Sequence, residues 1–126
     1  MNDPLTSRST LDRIVAATGH SMRGLAAAWR NEQAFREEVL LAVPMLPLAF
    51  WLGDSPAERL LLLGSVTLVL ICELLNSGIE AVVDRVGTEY HELSGRAKDI
   101  GSAAVFVSLL HAGIVWGVIG LGRLSL

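Results

Sequence analysis

An uncharged run and a polar stripe stand side by side in residues 60–84, LLLLGSVTLVLICELLNSGIEAVVD. Residues 60–72 carry no charge, and the polar side chains that follow are Glu73, Asn76, Ser77, Glu80 and Asp84. These positions are spaced so that all of them share one face of a helix. Because a charged side chain at the centre of a membrane costs roughly 2.5–3.5 kcal/mol, the stripe must face a partner, a cation or water. The alternative is a helix that leaves the membrane early, with the Glu80 and Asp84 carboxylates in solvent on the cytoplasmic side.

Apolar blocks on either side of this segment predict two further membrane-spanning helices. Residues 39–52 are too short alone for a bilayer core of about 30 Å, but extending the helix back to residue 33 gives about 30 Å of helix. Residues 100–122 carry no formal charge at neutral pH. We therefore predict an all-α integral membrane protein with spans at 33–52, at 56–86 with a cytoplasmic extension, and at 98–122, the last two joined by a cytoplasmic loop at 87–97.

The start of the second span carries a helix-capping signal. Ser55 and Glu58 have the spacing of a capping box, and Pro56 falls at the first helical position. The sequence therefore predicts that this helix begins at residue 56.

The distribution of Lys and Arg predicts the orientation of the three spans. Eight of the ten positive residues precede the first span or lie between the second and third: Arg8, Arg13, Arg23, Arg30, Arg36, Arg85, Arg96 and Lys98. The other two are Arg59 and Arg123. Since cytoplasmic segments carry the excess of positive charge, we expect a cytoplasmic N-terminus and a C-terminus on the opposite side.

Residues 10–30 form a separate amphipathic segment. Apolar side chains recur there with helical spacing, at Leu11, Ile14, Val15, Met22, Leu25, Ala26 and Trp29. This pattern predicts a helix lying on the cytoplasmic leaflet of the membrane. The alternative is a helix packed on its own protein, because both arrangements bury the same face.

Composition excludes several classes of protein. The chain has 126 residues, of which 52% are hydrophobic and 18% charged. Its single Cys excludes a disulfide framework and a Cys-based zinc site, and a net charge of −3 argues against nucleic-acid binding by bulk electrostatics. The first 24 residues lack a continuous apolar block, so we expect no cleavable secretory signal.

The chain lacks the phosphate-binding motifs of soluble nucleotide enzymes. It has no Gly-x-x-x-x-Gly-Lys loop, no Gly-x-Gly-x-x-Gly and no His-Glu-x-x-His. A nucleotide enzyme of this kind must neutralise phosphates with Mg²⁺ held by carboxylates and with scattered basic residues. The predicted cytoplasmic side offers Arg13, Glu32, Glu80, Glu89, Lys98 and Asp99.

Three segments together resemble the bacterial integral-membrane diacylglycerol kinases: residues 27–36, AAWRNEQAFR, residues 73–84, ELLNSGIEAVVD, and residues 89–104, EYHELSGRAKDIGSAA. The sequence differs at Gly78, where the family usually has Ala, and at His20, where it often has an aromatic residue. The resemblance implies a homotrimer of three-span protomers with an amphipathic N-terminal helix, located in the bacterial inner membrane. It further implies transfer of the γ-phosphoryl group of MgATP to diacylglycerol, which gives phosphatidic acid.

The resemblance also implies roles for individual residues. Glu73 would be the base that takes the lipid hydroxyl proton, and Asn76 would support the site. Glu32 and Glu80 would hold Mg²⁺ together with the nucleotide. The full set of nucleotide contacts would be Arg13, His20, Glu32, Glu80, Glu89, Tyr90, His91, Lys98 and Asp99. The lipid substrate would contact Trp29, Ala34, Phe35, Arg36, Arg59 and Ser102.

Two other functions stay open at the level of sequence. Undecaprenol kinase is a related activity on the same scaffold, and it would use the same Glu73 with a longer lipid. A non-enzymatic oligomer could instead use Glu73 to pass protons or ions. The acidic and basic residues on the ATP-accessible side argue against this last function.

Overall fold

The computed structural model describes residues 9–125, which form four α-helices. In chain order these are α1 (Thr10–Asn31), α2 (Gln33–Leu52), α3 (Pro56–Val86) and α4 (Glu92–Leu124). The described residues contain no strand, which agrees with the predicted all-α class. Arg8, one of the positive residues counted above, lies outside the described part of the chain.

Serine side chains cap two of the helices. Ser55 Oγ accepts a hydrogen bond from the Glu58 backbone N–H at 3.2 Å, and Pro56 is the first residue of α3. Ser9 Oγ accepts from the Asp12 backbone N–H at 3.2 Å in the same way. The capping signal read from the sequence is confirmed, and α3 begins at the predicted residue.

α4 begins six residues before the predicted start of the third span, so the connection predicted at 87–97 shortens to residues 87–91. His91 Nδ1 accepts from the Leu93 backbone N–H at 3.1 Å and caps the helix. One turn further on, Arg96 pairs with Glu92 at 3.5 Å. The predicted start was based on the apolar block alone. In the structure, the His91 cap and the Glu92–Arg96 ion pair accompany a helix that also includes the polar residues ahead of that block.

α3 lies at the centre of the fold, because it packs on both α4 and α2. The buried residues Ala49, Leu52 and Leu62 form a core where the first half of α3 meets α2. Partly buried side chains from α3 and α4 complete it: Leu63, Val115, Trp116 and Ile119. This packing fixes the helix that carries the polar stripe.

α3 and α4 are both long and apolar enough to cross a membrane. Large apolar side chains of α4 point outwards along most of its length, among them Phe106, Ile114 and Val118. An exposed apolar surface of this extent needs lipid or a partner to cover it. α2 is less apolar, because three charged residues occupy positions 36–38 of its first turns. These features fit an all-helical membrane protein.

The apolar face of α1 is exposed in the first half of the helix. Leu11, Ile14 and Val15 all lie on the surface. These three side chains are therefore not covered by the described part of the chain itself, and lipid or another chain must cover them if they are buried at all.

Candidate active site

A single residue separates α1 from α2, and that residue is Glu32. Its backbone is extended, with φ −117° and ψ 106°, and it serves as the C-cap of α1 and the N-cap of α2. The Glu32 N–H donates to the Ala28 carbonyl at 2.9 Å, and the Glu32 carbonyl accepts from the Arg36 N–H at 3.2 Å. Its side chain makes no capping hydrogen bond in α2, so the carboxylate stays available for a ligand.

Arg36 holds the two helices together at this elbow. Its Nη1 donates to the carbonyl oxygens of Trp29 at 2.7 Å and Arg30 at 3.1 Å. The last carbonyls of a helix have no partner within it, and a cation satisfies them well. Arg36 was predicted as a lipid contact, and the structure gives its guanidinium a role in fixing the elbow.

The polar stripe on α3 changes from buried to exposed along the helix. Glu73 is 6% exposed and Asn76 is 8% exposed, whereas Asp84 lies on the surface. Asn76 Nδ2 donates to Glu80 Oε1 at 3.3 Å, which links the buried part of the stripe to the half-buried Glu80. Glu73 and Glu80 are seven residues apart, or about 10 Å along the helix.

Glu38 is a site residue that the sequence analysis missed. Its carboxyl contacts the carboxyl of Glu73 within hydrogen-bonding range, and its Oε2 is buried without a hydrogen-bond partner among the described residues. The spacing could have revealed it, because Glu38 follows Phe35 by three residues and precedes Ala42 by four. Both of these neighbours lie on the buried face of α2.

Carboxylates from the elbow and from α3 surround Glu73. Both Glu32 and Glu80 lie within electrostatic range of it. The described residues contain no cluster of three or more His, Cys, Asp or Glu side chains placed to bind a metal. Mg²⁺ is usually bound by one or two carboxylates together with substrate phosphates rather than by a complete protein cage. A metal ion at these carboxylates would therefore need further ligands from a bound substrate.

A salt bridge joins the end of the polar stripe to α4. Lys98 Nζ lies 2.7 Å from Asp84 Oδ1, and both side chains are partly exposed. Exposed ion pairs contribute only about 0–1 kcal/mol to stability, so the main effect of this pair is to hold the Lys98 ammonium beside the stripe. The structure thus gives Asp84 a partner, where the sequence left open a freely solvated carboxylate.

A groove of about 720 Å³ lies between α1 and α3. Small side chains line it on both helices, including Ser21, Gly24, Ser77 and Gly78, and Glu32 lies at its α1 side. The small residues leave the space between the two helices unfilled. A Cβ added at Gly78 would meet no atom within 4 Å.

The other predicted nucleotide residues lie around the α3–α4 connection and on α1. Tyr90 is 93% exposed, and His91 is occupied as the cap of α4. Glu89 and Asp99 are also exposed. On α1, His20 Nδ1 is bonded to the Arg23 guanidinium, and Arg13 lies eight residues before Ser21, where the groove begins, or about 12 Å along the helix.

The predicted lipid residues fall into two groups. Trp29, Ala34 and Phe35 lie near the elbow, where Phe35 is buried, and Ser102 lies exposed on α4. Arg59 is at the other end of α3, where its Nε donates to the Gly53 carbonyl at 3.2 Å. Because fourteen residues separate Arg59 from Glu73, or about 21 Å of helix, the two cannot contact the same lipid headgroup.

Comparisons with known proteins identify the family of the chain. A family model described as prokaryotic diacylglycerol kinase matches residues 19–120. The chain is 54% identical over 107 residues to the diacylglycerol kinase of Haemophilus influenzae, with 85% of this chain and 91% of the relative covered. It is 54% identical to the Escherichia coli K12 diacylglycerol kinase, with 85% and 88% covered, and 51% identical over 119 residues to that of Pseudomonas aeruginosa, with 94% and 97% covered. The chain therefore belongs to the prokaryotic diacylglycerol kinase family.

Proposed function

We propose that this protein is a membrane lipid kinase that transfers the γ-phosphoryl group of MgATP to the free hydroxyl of diacylglycerol. Family membership and identities of 51–54% to named diacylglycerol kinases support this activity. The structural observation that carries the proposal is Glu73, a buried carboxylate within range of Glu32 and Glu80. The site would thus combine a base that can accept the proton of a lipid hydroxyl with two carboxylates that can bind Mg²⁺.

Glu73 is the proton acceptor in this reaction. It follows an apolar run of thirteen residues, so it lies where the hydroxyl of a membrane lipid can reach it without leaving the bilayer. As the lipid oxygen forms a bond to the γ-phosphorus, its proton passes to the Glu73 carboxylate, the bond from the γ-phosphorus to its bridging oxygen breaks, and ADP leaves. Such transfers depend mainly on positioning and on neutralising charge.

Glu32 and Glu80 would hold Mg²⁺ together with the nucleotide, and the ion would neutralise phosphate charge. Lys98 adds a positive charge that its Asp84 partner holds beside the stripe. The remaining nucleotide contacts are Arg13, His20, Glu89, Tyr90, His91 and Asp99. Asn76 orients Glu80 through the hydrogen bond from its Nδ2.

The lipid enters along the groove between α1 and α3. Its small side chains leave room for a glycerol backbone and the first part of an acyl chain, and it passes close to the helix face that carries Ser77. The contacts near the elbow are Trp29, Ala34, Phe35 and Arg36, with Ser102 on α4. A contact at Arg59 would be made by the far end of a long acyl chain of the lipid.

The fold is a three-span protomer with α1 on the cytoplasmic leaflet of the bacterial inner membrane. α2 is the first of the three spans in this arrangement, and its charged residues at positions 36–38 lie at the cytoplasmic boundary. The eight-to-two distribution of positive residues supports a cytoplasmic N-terminus. Reporters inserted near Gly53 and after Leu126 should both appear outside the cytoplasm, and a cytoplasmic signal at either position would contradict this topology.

Exposed apolar faces on α2 and α4 support assembly into a homotrimer within the membrane. The oligomer is measured by chemical cross-linking in detergent micelles and by light scattering corrected for bound detergent. A mass of one protomer in an active preparation would contradict it.

The activity is tested with the purified chain in mixed micelles. Phosphate transfer from MgATP is measured with diacylglycerol, with undecaprenol and without lipid, side by side. We expect transfer to diacylglycerol that requires Mg²⁺. Faster transfer to undecaprenol would assign the related activity instead, and transfer to neither lipid would contradict a kinase function.

A further inference from the structure

Gly101 lies where α4 passes the Asn76 side chain of α3. It is buried, and a Cβ added to its backbone would overlap Asn76 Oδ1. The same Cβ would lie 3.4 Å from Asn76 Cγ and 3.5 Å from Ile79 Cδ1. By contrast, a Cβ at Gly113, further along α4, would meet no atom within 4 Å. The space that a side chain at position 101 would need is therefore occupied by the Asn76 amide.

The two ends of the Asn76 amide have different surroundings. Nδ2 donates to Glu80 Oε1, and the nitrogen must face this carboxylate because the amide oxygen would be repelled by it. Oδ1 therefore points away from Glu80 towards Gly101. It is buried there without a hydrogen-bond partner among the described residues.

A methyl group at position 101 would act on this amide before it acted on the helices. The overlapping atom is the end of a side chain rather than backbone, so rotation of Asn76 relieves the overlap without moving α4. The same rotation takes Nδ2 away from Glu80 Oε1. The absence of a side chain at Gly101 and the Asn76–Glu80 hydrogen bond are thus linked.

We propose that Gly101 is a positioning residue, which keeps the Asn76 amide against Glu80 and thereby fixes the carboxylate that receives the Mg²⁺–nucleotide. This inference rests on the function proposed above. Changing a partner that orients a metal ligand commonly lowers metal affinity or activity by about 10–100-fold. This role predicts that Gly101→Ala changes the Mg²⁺ dependence of phosphoryl transfer. The same substitution should cause no further change when Asn76 is already replaced by Ala.

The first experiment compares Gly101→Ala with Gly113→Ala, a matched substitution on the same helix where space is open. Phosphate transfer to diacylglycerol is measured as a function of Mg²⁺ at saturating ATP. We expect Gly101→Ala to raise the half-saturating Mg²⁺ concentration by about tenfold and Gly113→Ala to leave it within twofold. Wild-type Mg²⁺ dependence in Gly101→Ala would overturn the proposal.

The second experiment repeats the substitution in an Asn76→Ala background, where the added methyl meets no amide. Affinity for MgATP and the temperature of unfolding are measured for the single and double variants. We expect the double variant to match Asn76→Ala in both quantities. An additional loss in the double variant would assign Gly101 to helix packing and overturn the proposal.

A third measurement does not depend on activity. The chain has three Asn and one Gln, so a sample ¹⁵N-labelled at side-chain amides gives few signals, and the Asn76 pair is identified by its loss in Asn76→Ala. We expect this pair to move in Gly101→Ala without nucleotide present, and an unmoved pair would overturn the proposal. If Gly101→Ala fails to fold, recovery of folding in the double variant supports the proposal and failure of both overturns it.

The function and this inference fail in distinguishable ways. A wild-type chain that phosphorylates no lipid contradicts the proposed function, yet the amide signals still report whether Gly101 positions Asn76. Conversely, an active wild type with an unmoved Asn76 signal in Gly101→Ala leaves the kinase in place and removes only the role of Gly101.

Discussion

In its N-terminal half α3 buries Leu62 and Ser65 against its neighbours, whereas in its C-terminal half it buries Glu73 and Asn76. In the N-terminal half of α3, the buried Ser65 hydroxyl has partners both as a donor and as an acceptor. Ser65 Oγ donates to the Leu62 carbonyl at 2.8 Å and accepts from Trp116 Nε1 at 3.0 Å. This half of α3 therefore packs against α4 with the buried Ser65 hydroxyl fully hydrogen-bonded.

In the C-terminal half of α3, two buried polar atoms have no partner within the described residues, namely Asn76 Oδ1 and Ser77 Oγ. The same holds for Glu38 Oε2 of α2, whose carboxyl interacts with that of Glu73. A buried polar atom that stays without a partner costs about 1–3 kcal/mol, so each of these atoms is expected to meet water, a substrate or another chain. The two halves therefore differ in how far their polar atoms are satisfied within the chain, and the C-terminal half is where substrates are expected to bind.

The strongest test of this comparison is Glu73→Gln. The substitution keeps the shape of the side chain but removes its ability to accept the lipid proton, so turnover should fall by about 100-fold or more. Binding of MgATP should stay close to that of the wild type, because Glu32 and Glu80 are unchanged. Calorimetry and turnover with saturating short-chain diacylglycerol in one detergent measure both quantities. Near-normal turnover would show that Glu73 is not the base.

Glu80→Gln should fail in a different way. It replaces a charged Mg²⁺ ligand, so the affinity for MgATP should fall by about 10–100-fold, and added Mg²⁺ should recover part of the rate. The same calorimetric titration, repeated over a range of Mg²⁺ concentrations, measures this effect. If Glu80→Gln binds MgATP normally while Glu73→Gln does not, the two roles are reversed.

A smaller effect is expected on α1. Replacing Leu11, Ile14 and Val15 together with Ser removes exposed apolar surface that we place against lipid. The KM for long-chain diacylglycerol should rise several-fold while the KM for ATP changes little. An equal loss for both substrates, with the oligomer dissociated, would indicate a packing role for this face.

The smallest effect on catalysis is expected in the N-terminal half of α3. Ser65→Ala removes the partner of Trp116 and should lower the free energy of unfolding by about 1 kcal/mol, without changing turnover at 25 °C. Thr67→Ala is the control, because Thr67 Oγ1 donates to the Leu63 carbonyl of its own helix, at 3.0 Å. A loss of turnover in Ser65→Ala would show that the two halves of α3 are coupled.

The sequence predicts the helices well, because their signals are local. Apolar blocks and the Ser55 cap predicted the start of α3, and the spacing of Glu73, Asn76 and Glu80 predicted their common face. The start of α4 was predicted too late, because a helix in water is set by caps and ion pairs such as those of His91 and Glu92 rather than by hydrophobicity.

The contacts between helices could not be read from local patterns. Glu38 reaches Glu73, and Gly101 faces Asn76, across interfaces whose register depends on how the helices cross. The same limit applies to Arg59, whose side chain turns to the Gly53 carbonyl next to the α2–α3 turn. The family resemblance implied a lipid contact there, whereas the packing shows that the Gly53 carbonyl is a hydrogen-bond partner of this side chain.

The one-residue elbow at Glu32 makes the length of the chain there as important as its chemistry. Each residue added to a helix turns the next one by about 100°, so an insertion or deletion beside Glu32 would rotate all of α1 relative to α2. The apolar side of α1 would then face a new direction, and Arg36 would no longer meet the carbonyls of Trp29 and Arg30. Side chains at the elbow can be substituted one at a time, whereas adding or removing a residue there would move all of α1.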